Sequence, residues 1–207
     1  MKPAVVVVLV LVGLAVGGVA IALFLPPTYS DEELGAFGYS AYPEPREVEP
    51  FELVDAAGGV FGPERLRDRW SLMFFGFANC PDICPITMSV LGDAAKTLAQ
   101  RGETPFQGIL VTVDPERDTP PELAAYVQTF SEEFVGVTGT VADIKAFARS
   151  FHAGFSKAPA KDPTLGYTVD HTGRIAVVDP EGRHVGNIRS PFDATRIATL
   201  YRALADR

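Results

Sequence analysis

Ser71-Leu72-Met73-Phe74-Phe75-Gly76-Phe77-Ala78-Asn79-Cys80-Pro81-Asp82-Ile83-Cys84-Pro85 is the stretch on which the reading of this chain turns. Its first seven residues are a near-continuous apolar run, the pattern of a strand covered on both faces. Ile86 to Gln100 follows with helical spacing: Met88, Leu91, Ala95 and Leu98 share one side, and Gly102 supplies a stop. The cysteines therefore sit where a buried strand hands over to a helix start. Unpaired amide N–H groups there favour thiolate over thiol, the form needed for metal binding and for disulfide exchange. Three residues separate the sulfurs in sequence, a loop wide enough to leave room for an ion between them.

Working outward, Phe51-Glu52-Leu53-Val54 is a short strand candidate ahead of an Ala57-Gly58-Gly59 turn, and Gln107 to Val113 is a second buried strand. Pro120-Pro121-Glu122 opens a helix through about Phe130, since proline is tolerated at a helix start. Val141 to Ser150 is a further helix. Arg174–Val178 and His184–Ile188 read as hairpin strands around Asp179-Pro180-Glu181-Gly182, and Asp193–Ala205 as a closing amphipathic helix. Strands alternating with helices imply an α/β fold, a mixed central sheet with helices on both faces, and a thioredoxin-like core has this order.

Only two of the 207 residues are cysteine, which excludes a disulfide-rich scaffold, a four-cysteine zinc site and a self-sufficient iron–sulfur cluster. A structural disulfide across so short a loop would contribute roughly 2 kcal/mol, less than one closing a long loop. A net charge of −8 argues against nucleic acid as a partner. That charge is unevenly placed: residues 1–25 carry one charged side chain, Lys2, and every acidic residue follows them. Ala4 to Leu25 is unbroken apolar or Gly sequence, about 33 Å as a helix and enough to cross a hydrocarbon core of ~30 Å. It reads as a transmembrane anchor over 1–25. The competing reading is a cleaved signal peptide with Ala20-Ile21-Ala22 as its site, but the apolar run continues past that point. Flanking charge places the N-terminus inside and the globular part outside the cytoplasm. Residues 26–50, with Pro26, Pro27, Pro43, Pro45 and Pro50, read as a semi-rigid tether, leaving 51–207 as the folded domain.

The cysteine motif, then Val113-Asp114-Pro115-Glu116-Arg117-Asp118-Thr119-Pro120, then Val169-Asp170-His171-Thr172 ahead of a Val-Val-Asp-Pro strand, together resemble the Sco (SenC) family over about residues 47–207. The resemblance implies a membrane-anchored, thioredoxin-like copper chaperone that serves the dinuclear copper site of cytochrome c oxidase. It implies Cys80, Cys84 and His171 as copper ligands, with Asp114 supporting the site or touching a partner. The chemistry agrees: two soft thiolates and one imidazole suit Cu(I) and accommodate Cu(II), whereas a structural zinc site usually takes a fourth ligand. Asp114 is otherwise a turn residue before Pro115, and Asp118 reads as a cap for the helix that follows. Met88, one turn after Cys84, is assigned to the core rather than to the metal, and His152 and His184 carry no motif. Asn79 stands where many members of the family have histidine.

Four functions compete. The first is copper delivery to an acceptor subunit of cytochrome c oxidase, with other copper chaperones as further partners and the acidic surface facing a basic patch. The second is thiol–disulfide reduction of the acceptor's cysteines by the Cys80/Cys84 redox pair without copper delivery, the only sense in which the protein would be an enzyme. The third, a peroxiredoxin-type peroxidase, is disfavoured because Phe77 replaces the threonine such sites use to orient peroxide. The fourth is a non-catalytic binding module. The domain would face a periplasm or other extracytoplasmic space, or a mitochondrial intermembrane space.

Overall fold

The computed structural model describes residues 29–160 and 166–206, together with positions 3, 13, 14 and 17. The expected anchor, apart from positions 3, 13, 14 and 17, lies outside the described residues, and no helix among the described residues is long and apolar enough to cross a membrane. In chain order the elements are α1 (Asp31–Ala36), β1 (Tyr39–Arg46), β2 (Leu53–Asp55), β3 (Val60–Phe61), a 3-10 turn (Pro63–Leu66), β4 (Ser71–Gly76) and α2 (Ile83–Gln100). They continue with β5 (Gln107–Thr112), α3 (Pro120–Gln128), β6 (Val135–Thr138), α4 (Val141–Ser150), β7 (Phe155–Pro159), β8 (Tyr167–His171), β9 (Ile175–Val178), β10 (His184–Ile188) and α5 (Ala194–Ala205).

Eight strands form one mixed sheet in the order β1-β10-β9-β4-β5-β6-β2-β3, and β7 with β8 forms a separate two-stranded ribbon. The β4/β5 and β5/β6 pairs are parallel and the other neighbours antiparallel. Every residue of β4 and β5 is buried, as their continuous apolar sequences require of central parallel strands. Successive side chains of β4 point to opposite faces. Phe75 packs on Phe147 and Phe151, at α4, while a Cβ at Gly76 would lie 3.0 Å from Cys84 Sγ, at α2. Helices thus cover both faces, and α2 also packs along α5.

Two registers place the site. Ser71 pairs with Gln107 and Gly76 with Thr112, so the loops leaving β4 and β5 emerge side by side. Phe74 pairs with Ile175 in the antiparallel β4/β9 ladder, which brings the chain just before β9 to that same edge.

The stretch expected to be a tether is drawn into the fold. Residues 31–36 are helical and 39–46 form the edge strand β1 on β10. Pro43 and Pro45 are compatible with this because the ladder is interrupted between Ala41 and Arg46, where no amide is required of them. Helix α2 starts at Ile83 rather than Ile86. Pro85 is tolerated there, since first-turn amides have no partner within the helix. Cys84 is accordingly inside the first turn rather than ahead of it.

Candidate metal centre

Cys80 is half-buried in the turn after β4, Cys84 is fully buried at the second position of α2, and both thiols are free. His171 ends β8. The ligand atoms of these three residues all lie within 4.8 Å of one another, and Cys84 Sγ is 3.5 Å from His171 Nε2. Bonds of about 2.0–2.3 Å from nitrogen and sulfur can therefore meet at one ion. His171 Nδ1 is 3.3 Å from the Thr172 carbonyl. The tautomer that donates Nδ1–H to that oxygen is the one that would offer the Nε2 lone pair to an ion, whereas an Nε2–H would donate to a thiolate instead. Phe74 and Phe77 meet the imidazole edge-on, at centroid distances of 5.6 and 5.9 Å, and fix its plane.

The two thiols are electrostatically unequal. A hydrogen bond from the Cys84 thiol is the largest influence on Cys80 and brings it down to about 4 against the opposing effect of burial. His171 and the backbone N–H groups of Asp82 and Cys84 also favour the Cys80 thiolate. Cys84 is pushed up, first because its proton is held by Cys80 and then by burial, with the charges of Cys80 and Asp118 adding to the effect. The metal-free pair thus holds one proton and one negative charge, the charge mainly on the more accessible sulfur. Alkylation of Cys80 by iodoacetamide should consequently be nearly flat between pH 6 and 8. A rate rising about tenfold per pH unit there, as for an ordinary thiol of pKa ~8.5, would contradict the shared proton.

Asp114 does not join the three donors. It is buried, ion-paired with Arg117, and accepts a hydrogen bond of 2.8 Å from the Tyr167 hydroxyl. Asp118 is not the helix cap the sequence suggests. Thr119 takes that position, with Glu122 accepting from its backbone N–H and hydroxyl. Asp118 instead points inward, wholly buried, and accepts hydrogen bonds from Ala78 N–H (2.9 Å), the Asn79 side chain (3.3 Å) and the Thr112 hydroxyl (2.6 Å). It ties the cysteine loop to the end of β5. Burial is the main influence on its carboxyl and pushes it up.

Met88 is fully buried in the core, consistent with its assignment there. His152 lies against Arg46, while His184 is buried, hydrogen-bonded to the Gly186 carbonyl and to Asn187. Neither reaches the cysteines' donor cluster. Arg117 and Tyr167, missed in the sequence, complete the surroundings. Arg117 lies in the same Asp-Pro segment as Asp114, whereas nothing local marks Tyr167. An open groove of about 710 Å³ exposes the site between Phe77, Cys80, Ile83, Arg117, Tyr167 and His171.

A family model described as SCO1/SenC matches residues 40–206. Protein SCO1, mitochondrial, of Saccharomyces cerevisiae is 35% identical over 152 residues, covering 73% of this chain and 52% of that protein, so the match spans about half the yeast protein's length. The crystal structure of yeast Sco1 with copper bound aligns with a TM-score of 0.68 at 32% identity, over 79% of this chain and 88% of that one. A SCO2-like protein of Rickettsia prowazekii is 31% identical over 153 residues, 74% of each chain. BsSco, described with a disulfide switch and as a member of the Sco family of cytochrome c oxidase assembly proteins, aligns with a TM-score of 0.62 at 25% identity, over 81% and 98% of the two chains. A thioredoxin-like mixed sheet flanked by helices is the architecture held in common.

Proposed function

The chain belongs to the SCO1/SenC family, and from that premise we propose that it binds copper through Cys80, Cys84 and His171 and passes it to the dinuclear copper site of cytochrome c oxidase. The observation that carries this reading is the convergence of two thiols and one imidazole within 4.8 Å, with the other imidazole nitrogen 3.3 Å from the Thr172 carbonyl. Copper is cargo here rather than a resident cofactor. Cys80 and His171 line an open groove, with Cys84 buried behind them, so an incoming thiolate has room to attack from the groove and the ion can leave by ligand exchange. The apolar run Ala4–Leu25 would hold residues 51–207 and the preceding edge strand at a membrane, on the extracytoplasmic side of a bacterial membrane or facing a mitochondrial intermembrane space.

A second role uses the same sulfurs. The low-pKa, half-exposed Cys80 and the protonated Cys84 suit thiol–disulfide exchange, and a copper-loaded dithiolate and a disulfide are alternative states of one pair. The test is anaerobic copper titration of the reduced protein, followed by absorption and paramagnetic resonance. The expected result is one equivalent bound, with thiolate charge-transfer bands and nitrogen coupling in the Cu(II) form. Exchange activity without stoichiometric copper would overturn delivery and leave the reductase.

A further inference from the structure

His171 sits on a ribbon outside the main sheet. Among the described residues strand β8 pairs only with β7, outside the eight-stranded sheet, and a two-stranded ribbon is at best marginally stable on its own. Along β8 the residues Tyr167, Val169 and His171 share one face, because side chains alternate. Val169 is buried, and His171 faces the cysteines. At the other end the Tyr167 hydroxyl donates to buried Asp114 at 2.8 Å. Arg117 closes the triangle. It pairs with Asp114, donates to the Tyr167 carbonyl at 3.1 Å, and lies 4.0 Å over the Tyr167 ring. Lys157, on β7, adds an ion pair to Glu116 and lies 4.5 Å over the same ring.

We propose that Asp114, Arg117 and Tyr167 form a latch between the loop after β5 and the β7–β8 ribbon, and that Tyr167 is a positioning residue which holds His171 in register with Cys80 and Cys84. The loop after β5 leaves the sheet beside the cysteine loop, so the latch fixes the ribbon to the same edge that carries the sulfurs. With the latch closed, β8 carries the imidazole to Cys84. With it open, the ribbon keeps its own ladder and the buried Val169 but loses its polar tie to the loop after β5, so His171 is held less firmly beside the two thiolates. This mode of action rests on copper binding by the three residues.

Tyr167→Phe is the discriminating variant. It removes the hydroxyl while keeping the ring beneath Arg117 and the Asp114–Arg117 pair. Copper affinity should fall by about 10- to 100-fold, the range for residues that orient a metal-ligating histidine. Nitrogen coupling in the Cu(II) spectrum should weaken while the thiolate bands persist. In a His171→Ala background the same change should cost nothing more, because it acts through His171. In the metal-free protein, amide exchange over residues 155–159 and 167–171 should speed up at least about tenfold. Unchanged ribbon exchange, or an equal loss of affinity with and without His171, overturns the latch. A wild-type protein that binds no copper overturns the proposed function instead, and ribbon exchange still decides whether the latch exists.

Discussion

Replacing Cys84 with serine is expected to abolish stoichiometric copper binding by the reduced protein, and His171→Ala to weaken it at least about 100-fold while sparing thiol–disulfide exchange. The two losses differ because the residues do different work. Cys84 supplies a soft sulfur donor and also the hydrogen bond that contributes most to lowering the Cys80 pKa. Serine offers a hard oxygen that stays protonated, so one change removes one donor and weakens a second. His171 supplies a nitrogen donor and a smaller influence on Cys80 than Cys84 does, so the sulfur pair survives without it. Its loss should still exceed the ~10–100-fold typical of residues that merely support a ligand. Competition against a chromophoric Cu(I) chelator, beside a disulfide-reduction assay, separates the cases. A His171→Ala protein with wild-type affinity and spectrum would remove His171 from the ligand set. Equal loss of both activities would mean that the histidine is needed for the fold of the loop.

Asp118→Ala should destabilise the protein by about 2–5 kcal/mol, although the residue touches neither groove nor solvent. Truncation strands the Ala78 N–H and removes the acceptor of the Thr112 hydroxyl, which itself accepts from Asp114 N–H at 3.0 Å. One carboxyl thus links the cysteine loop, β5 and the Asp114 turn. Asp118→Asn should lose far less. Its oxygen can serve Ala78 and Thr112, and the Asn79 amide can turn to accept from the new NH₂. The pH dependence has a definite sign. Burial raises the Asp118 pKa, so the stability due to its neutral form is complete below the ordinary carboxylate range and is lost as pH rises through the raised value. The gap between wild type and Asp118→Asn should therefore narrow with rising pH across that window. Urea midpoints at acid and neutral pH measure this. A wild-type midpoint in Asp118→Ala would show that something else seats the cysteine loop.

Parts of the fold were legible because their signals are local. The apolar runs of β4 and β5, the helical spacing of α2 and α4, and the Asp179–Gly182 turn each declare themselves within a dozen residues. β1 was hidden by prolines, which mean a linker in solution and an interrupted edge strand against β10. β6 has four residues, Val-Gly-Val-Thr, too few to show a period. Asp118 and Thr119 are both competent N-caps on adjacent positions, and burial of the Asp118 side chain decides between them.

By itself the sequence determined the strand-to-helix junction, the cysteine pair at its tip and the order of motifs that marks the family. These are properties of residue type and spacing. The resemblance also implied His171, but its meeting with a sulfur 87 positions away, the facing of Asp114 and Tyr167, and that of Asp118 and Ala78 come from the tertiary structure alone. Each of those contacts depends on the antiparallel register of β9 on β4 or the parallel register of β5 on β4. Such registers come from packing the whole apolar core, and no short stretch of chain encodes them.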